Sequence, residues 1–145
     1  MNFFAKKFDE LTTYQLYEIL RVRSQIFIIE ENMHCLDIDS VDFKAKHYFL
    51  EENGKIFAYL RAFYEDNSKE VVRIGRVLSV THGIGLGKEI MLSAINDNKK
   101  NMKCQKIRID SQKHAIGFYE KLGFKTVSDE FLEEGVLHVK MELEI

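Results

Sequence analysis

The chain has 145 residues, the size of one domain able to bury roughly two-thirds of the surface that its unfolded form exposes. With 21 Lys and Arg against 23 Asp and Glu, a net charge of −2 and 46% hydrophobic residues, it is neither a disordered polyelectrolyte nor a basic surface for coating nucleic acid. No apolar run approaches the ~20 residues of a membrane span, and the amino end MNFFAKKFDELTT has neither a long apolar core nor a small-residue cleavage site. A cytoplasmic protein without nucleic-acid or membrane partners is therefore expected.

Cys35 and Cys104 form no CxxC pair and read as reduced, packing cysteines. The histidines and cysteines fall into no metal-ligand spacing, so no metal is expected. There is no proline, no Ser/Gly-rich linker and no internal repeat, which predicts a single domain over residues 1–145.

In chain order, Thr12 or Thr13 can cap a first helix that carries Leu16, Ile19, Leu20 and Arg23 at helical spacing and runs to about Glu30. The stretch ENMHCLDIDSVDFKAK loses that periodicity and reads as an acidic loop. Three strands follow, HYFLEE, KIFAYLRAFY across an Asn53-Gly54 hairpin signal, and EVVRIGRVLSV. A second helix shows an apolar stripe of Ile90, Met91, Ala94 and Ile95. KIRID is a short strand, SQKHAIGFYEKL a helix stopped by Gly123, FKTV a strand and VLHVKMELEI a last strand. Helix, three strands, helix, strand, helix and two strands predict an α+β fold in three layers, with a mixed central sheet flanked by helices.

Between the third strand and the second helix stands VTHGIGLGKEIM, with three glycines spaced by two. A glycine loop entering a helix presents unpaired N–H groups and the positive end of the helix dipole, a seat for phosphate. A P-loop is excluded because Glu89 stands where Ser or Thr must bind Mg²⁺ and His82 where the first glycine belongs. A Rossmann fingerprint is excluded because GxGxG occurs late in an antiparallel run.

The strand end RVLSV, the loop HGIGLGKEIM and AIGFYEKLGF at 115–124 together resemble the GNAT N-acetyltransferase superfamily. FIIEENMHCLDID at 27–39, IGRV at 74–77, QKHAIGFY at 112–119 and EEGVLHVKM at 133–141 are similar to its ElaA-type branch, so the resemblance extends over nearly the whole chain. It implies the acyl-CoA N-acyltransferase fold, and transfer of an acetyl group from acetyl-CoA to a primary amine of a small molecule or peptide by direct attack, without an acetyl-enzyme. The alternative is a CoA-binding sensor or interaction module without turnover. The segment before the glycine loop is slightly shorter than the family pattern, and His82 stands where Arg or Gln is common.

By that resemblance His82, Gly83, Ile84, Gly85, Leu86, Gly87 and Lys88 form the pyrophosphate loop, and Leu78, Ser79 and Val80 face the pantetheine arm with backbone groups. An N–H at or next to Leu78 would be the oxyanion donor. Tyr119 would protonate the departing thiolate; Gln112, with His114 in the branch pattern, would contact the pantetheine. Phe118 and Phe124 read as core. For the acceptor wall and the proton-accepting base, Glu30, Glu31, Asp37, Asp39 and His138 stay open as alternatives, together with water. Arg76, mid-strand, requires a carboxylate partner or an open cleft. An acidic wall would attract a cationic amine. The aromatic content of 12% is compatible with a homodimer.

Overall fold

The structure, a computed structural model, describes residues 1–145. It opens with a strand that the sequence reading did not contain: β1 (Asn2–Lys7) pairs antiparallel with β2 (Lys46–Glu52), Phe4 opposite Phe49. Its residues are all exposed or half-buried because it is an edge strand, so its pattern shows no burial alternation.

Helix α1 (Thr13–Arg23) starts at Thr12, whose hydroxyl accepts from the Gln15 N–H at 3.0 Å while the Gln15 side-chain Oε1 accepts from the Thr12 N–H at 3.0 Å. This reciprocal cap satisfies two otherwise orphaned donors. The helix continues through a wider π-type stretch, Ser24–Glu30, to the expected boundary. β3 (Lys55–Tyr64) follows β2 across Asn53 and Gly54, both at positive φ, as a two-residue hairpin turn requires. β4 (Val71–Ser79) pairs antiparallel with β3. Helix α2 (Leu86–Asp97) buries Ile90, Met91, Ala94 and Ile95 as its stripe predicts.

β5 (Lys106–Gln112) is longer than KIRID, and this corrects the expected helix SQKHAIGFYEKL. Ser111 and Gln112 stay extended because they pair with Val139 and His138 of β8 (Val136–Glu144), and helix α3 is confined to Ile116–Lys121 after a 3₁₀ turn at Lys113–Ala115. Strand pairing thus outweighs local helical pattern. β6 is only Lys125–Thr126, and a further short strand, β7 (Phe131–Glu133), forms a hairpin with β8. Phe124 is buried as expected, but Phe118 is 36% exposed and lies edge-on to Tyr119.

The eight strands form one mixed sheet in the order β1-β2-β3-β4-β5-β8-β6, with β7 also on β8; only β4 and β5 run parallel. One face packs on α1 and its π-type continuation through Ile19, Val22 and Ile26 against Phe49, Ile56, Tyr59 and Leu78. The other carries the larger core, where α2 and α3 meet Tyr48, Leu50, Leu60, Ile107 and Met141. Alternate residues of β2 and β3 serve opposite faces, as expected of a sheet covered on both sides.

Candidate active site at the split between two parallel strands

β4 and β5 pair only from Val71 opposite Lys106 to Arg73 opposite Arg108. Beyond Arg73, β4 keeps β3 as its sole partner and β5 keeps β8, so the edge of β4 facing β5 has no strand beside it. The divergence coincides with a bulge: Arg61 lies opposite Gly75 but Tyr59 opposite Leu78, which gives β4 one extra residue. Arg76, inside the bulge, adopts φ +54°, a left-handed conformation that a side-chain-bearing residue adopts only at a cost.

Arg76 is held there by carboxylates. Its Nε donates to Asp37 at 2.8 Å, and Asp37 also pairs with Arg23 at 3.1 Å. Arg23 reaches Asp42 at 2.7 Å, Asp42 pairs with Arg61 at 3.0 Å, Arg61 with Asp39 at 2.7 Å, and Asp39 returns to Arg76 at 3.4 Å. Three arginines and three aspartates therefore alternate in a closed ring that ties α1, β3 and the β4 bulge to the acidic loop. Burial alone would raise the Asp39 carboxyl, but hydrogen bonds and charge from Arg61 prevail and bring its pKa down to about 2. Asp42 is likewise lowered, against burial, by Arg23 and Arg61. Arg23, Arg61 and Asp42 were not among the sequence candidates; the signal for the two arginines was a charge within an apolar helical stripe or strand run, whereas Asp42 looks like any other acid of its loop.

Under the split lies a cleft of about 310 Å³, whose walls include Phe27, Glu31, Asp37, Arg76, Ile109, Gln112, Tyr119 and His138. Tyr119 is 7% exposed; burial, and then the charge of Glu31, push its phenol well above the ordinary range, so it is a neutral O–H at physiological pH. Gln112 Nε2 donates to Glu31 at 3.1 Å. His138 is buried, with Nδ1 2.8 Å from the Val136 carbonyl oxygen and Nε2 3.6 Å from Glu133, a neighbour the sequence reading did not single out. His114 lines the same cleft. Glu30 instead accepts from Gln25 on the exposed helix end, and Asp39 is engaged in the ring. The structure thus brings together Arg76, Asp37, Gln112, Tyr119 and His138, and leaves Glu30 apart from them.

The glycine loop lies between the end of β4 and α2. Gly83 and Gly85 have φ of +82° and +81°, and a Cβ built at either meets nothing within 4 Å. Helix α2 starts at Gly85 with no side-chain cap. Its first N–H groups are therefore free for an anionic group, and no Cβ at Gly83 or Gly85 obstructs the approach. His82, Ile84 and Lys88 are exposed, whereas the Leu86 side chain is core. Leu78 is likewise buried, Ser79 Oγ donates to the Thr81 carbonyl at 2.7 Å, and the Val80 N–H donates to the Phe57 carbonyl at 2.9 Å.

A mixed sheet split between two parallel strands, with a glycine loop leading into a helix at the end of one of them, defines the acyl-CoA N-acyltransferase fold. The crystal structure of an acyl-CoA N-acyltransferase from Pseudomonas aeruginosa superposes with a TM-score of 0.89 at 26% identity, over 98% of this chain and 99% of the other. That of Escherichia coli ElaA superposes with a TM-score of 0.90 at 28% identity, over 99% of both chains. A UPF0039 protein of Schizosaccharomyces pombe is 35% identical over 100% of this chain and 98% of its own length. The family model described as "Acetyltransferase (GNAT) domain" matches residues 29–145. The chain belongs to the GNAT acetyltransferase family, whose members transfer an acyl group and use an acyl-CoA as co-substrate.

Proposed function

We propose that the protein moves an acetyl group from acetyl-CoA to a primary amine of a small molecule or peptide by direct attack. The observation that carries this reading is the unpartnered edge of β4, which runs from the cleft lined by Tyr119 to an uncapped, glycine-led helix start. N–H groups of residues 83–88 suit the pyrophosphate, with His82 and Lys88 beside them. The free edge around Leu78, Ser79 and Val80 suits the amide-bearing pantetheine arm as a strand-like partner, and an N–H at or next to Leu78 serves the developing oxyanion. Gln112 and Tyr119 line the cleft at which the thioester would arrive, and Tyr119 supplies the proton for the departing sulfur. Asp37, Asp39 and Arg76 form the ordered wall beside the acceptor rather than free binding groups. The free Cys35 and Cys104 suit a reducing, cytoplasmic setting.

Calorimetric titration with acetyl-CoA, alongside ATP and NAD, tests the reading, followed by thiol release with a panel of primary amines. Selective acetyl-CoA binding and amine-dependent release support it; absence of binding overturns it. A protein that binds acetyl-CoA but releases no thiol with any amine of the panel is the sensor module instead.

A further inference from the structure

We infer that Glu31 receives the acceptor's ammonium group and takes the proton that must leave it before attack, an assignment that rests on the acetyltransferase reading above. An alkylammonium has a pKa of about 10, so at neutral pH only about one molecule in a thousand carries the lone pair the reaction needs. A carboxylate at the cleft can bind the cation and then act as base, provided no other cation already occupies it.

The side chains around the cleft can be sorted by that criterion. Asp37 serves Arg23 and Arg76, and Asp110 serves Arg73 at 2.7 Å and Lys140 at 3.3 Å. His138 and Glu133 face each other at 3.6 Å. Glu31 has no Lys, Arg or His partner and accepts a single hydrogen bond, from Gln112. It enters the cleft from the end of the π-type stretch after α1, while Gln112 is the last residue of β5, directly opposite His138 on β8. The carboxylate is therefore anchored at the open end of the split by a neutral amide that leaves its charge intact. Glu31 and Tyr119 line the same cleft, so the proposed proton acceptor and proton donor face one space. Besides Tyr119, Glu31 shares the cleft with His114, Asp110, Glu133, His138 and the Asp37-bound Arg76.

One ammonium proton passes to Glu31 and thence to solvent; the neutral nitrogen attacks the thioester carbon, forming C–N as C–S breaks. The departing sulfur takes the Tyr119 proton, and the second proton lost by the nitrogen restores the phenol. The products are amide, CoA thiol and one released proton.

Glu31 is exposed, so Glu31→Gln should fold with unchanged melting temperature and CoA affinity. For alkyl primary amines its kcat/KM at pH 7 should fall about 100-fold, and the deficit should shrink as pH rises toward the amine's own pKa. With an aromatic amine, already neutral at pH 7, the loss should nearly vanish. Turnover that Glu31→Gln leaves within twofold, or a deficit independent of pH and amine basicity, overturns this assignment alone. Absence of thiol release from the unaltered protein overturns the acetyltransferase reading and this one with it.

Discussion

Arg76 donates to Asp37 at 2.8 Å from a backbone at φ +54°, so the residue that kinks β4 away from β5 is held by the loop over the cleft. The same carboxylate pairs with Arg23, which is fully buried. One aspartate therefore joins the first helix, the bulge and the wall of the cleft, and the shape of the split depends on it.

Asp37→Ala should consequently be far more damaging than its place on a loop suggests. It leaves the Arg23 guanidinium short of a partner with no exposure to water, which costs about 3 kcal/mol. Arg76→Ala should cost about 1 kcal/mol, since that side chain is 25% exposed and water replaces part of the pairing. Urea denaturation of both single variants and of the double variant checks this; the two effects should be clearly non-additive.

Tyr119→Phe removes one oxygen from a site whose packing is otherwise apolar, against Phe118 and Phe124. Melting temperature and CoA affinity should stay close to those of the unaltered protein, while thiol release falls by about 100-fold. A variant that retains full turnover would remove Tyr119 from the chemistry.

The glycines of the loop should divide into two kinds. At Gly83 the positive φ makes alanine cost about 1 kcal/mol of stability. Gly87 has no positive φ, and an added Cβ would only touch the Phe118 ring at an ordinary 3.5 Å, so Gly87→Ala should raise stability by up to about 1 kcal/mol. Acetyl-CoA affinity should nonetheless fall in both variants if the loop seats the pyrophosphate as proposed, because the added methyl group narrows the approach to the backbone. Melting curves paired with calorimetry separate these effects.

Stability should fall in two stages on acidification. His47 is buried, with Nδ1 2.6 Å from the Tyr59 hydroxyl and Nε2 3.0 Å from the Asp42 carbonyl, and burial lowers its pKa below the ordinary 6.5. The unfolded chain then binds a proton there before the folded one does, so stability declines as pH drops below 6.5. A second loss follows between pH 3.8 and about 2, where Asp39 is protonated in the unfolded chain but still ionised in the ring. Melting temperatures from pH 8 to 2 follow both stages; a flat profile between pH 7 and 5 would mean that His47 is not held neutral.

Much of this architecture was legible because its signals are local. The stripe Ile90, Met91, Ala94 and Ile95, the Asn53-Gly54 hairpin and the Thr12 cap each depend on residues within a few positions of one another. Edge strand β1 was not legible, since a strand paired on one side and buried on neither face carries no strong period. Ser111 and Gln112 read as helix and fold as strand because Val139 and His138, more than twenty-five residues away, supply the pairing.

By itself the sequence determined the order of helices and strands and the glycine-led helix, which follow from short-range periodicity and turn chemistry, and it carried the motifs by which the chain resembles its family. Only the tertiary structure decided what each charged residue does. Asp37, Asp39 and Glu31 are equivalent acidic letters along the chain, yet two are consumed by arginines brought from α1, β3 and β4, while the third is left with a neutral glutamine. Electrostatic partnership is a long-range contact made by folding, and a carboxylate's availability for chemistry is settled by the cations that folding places beside it.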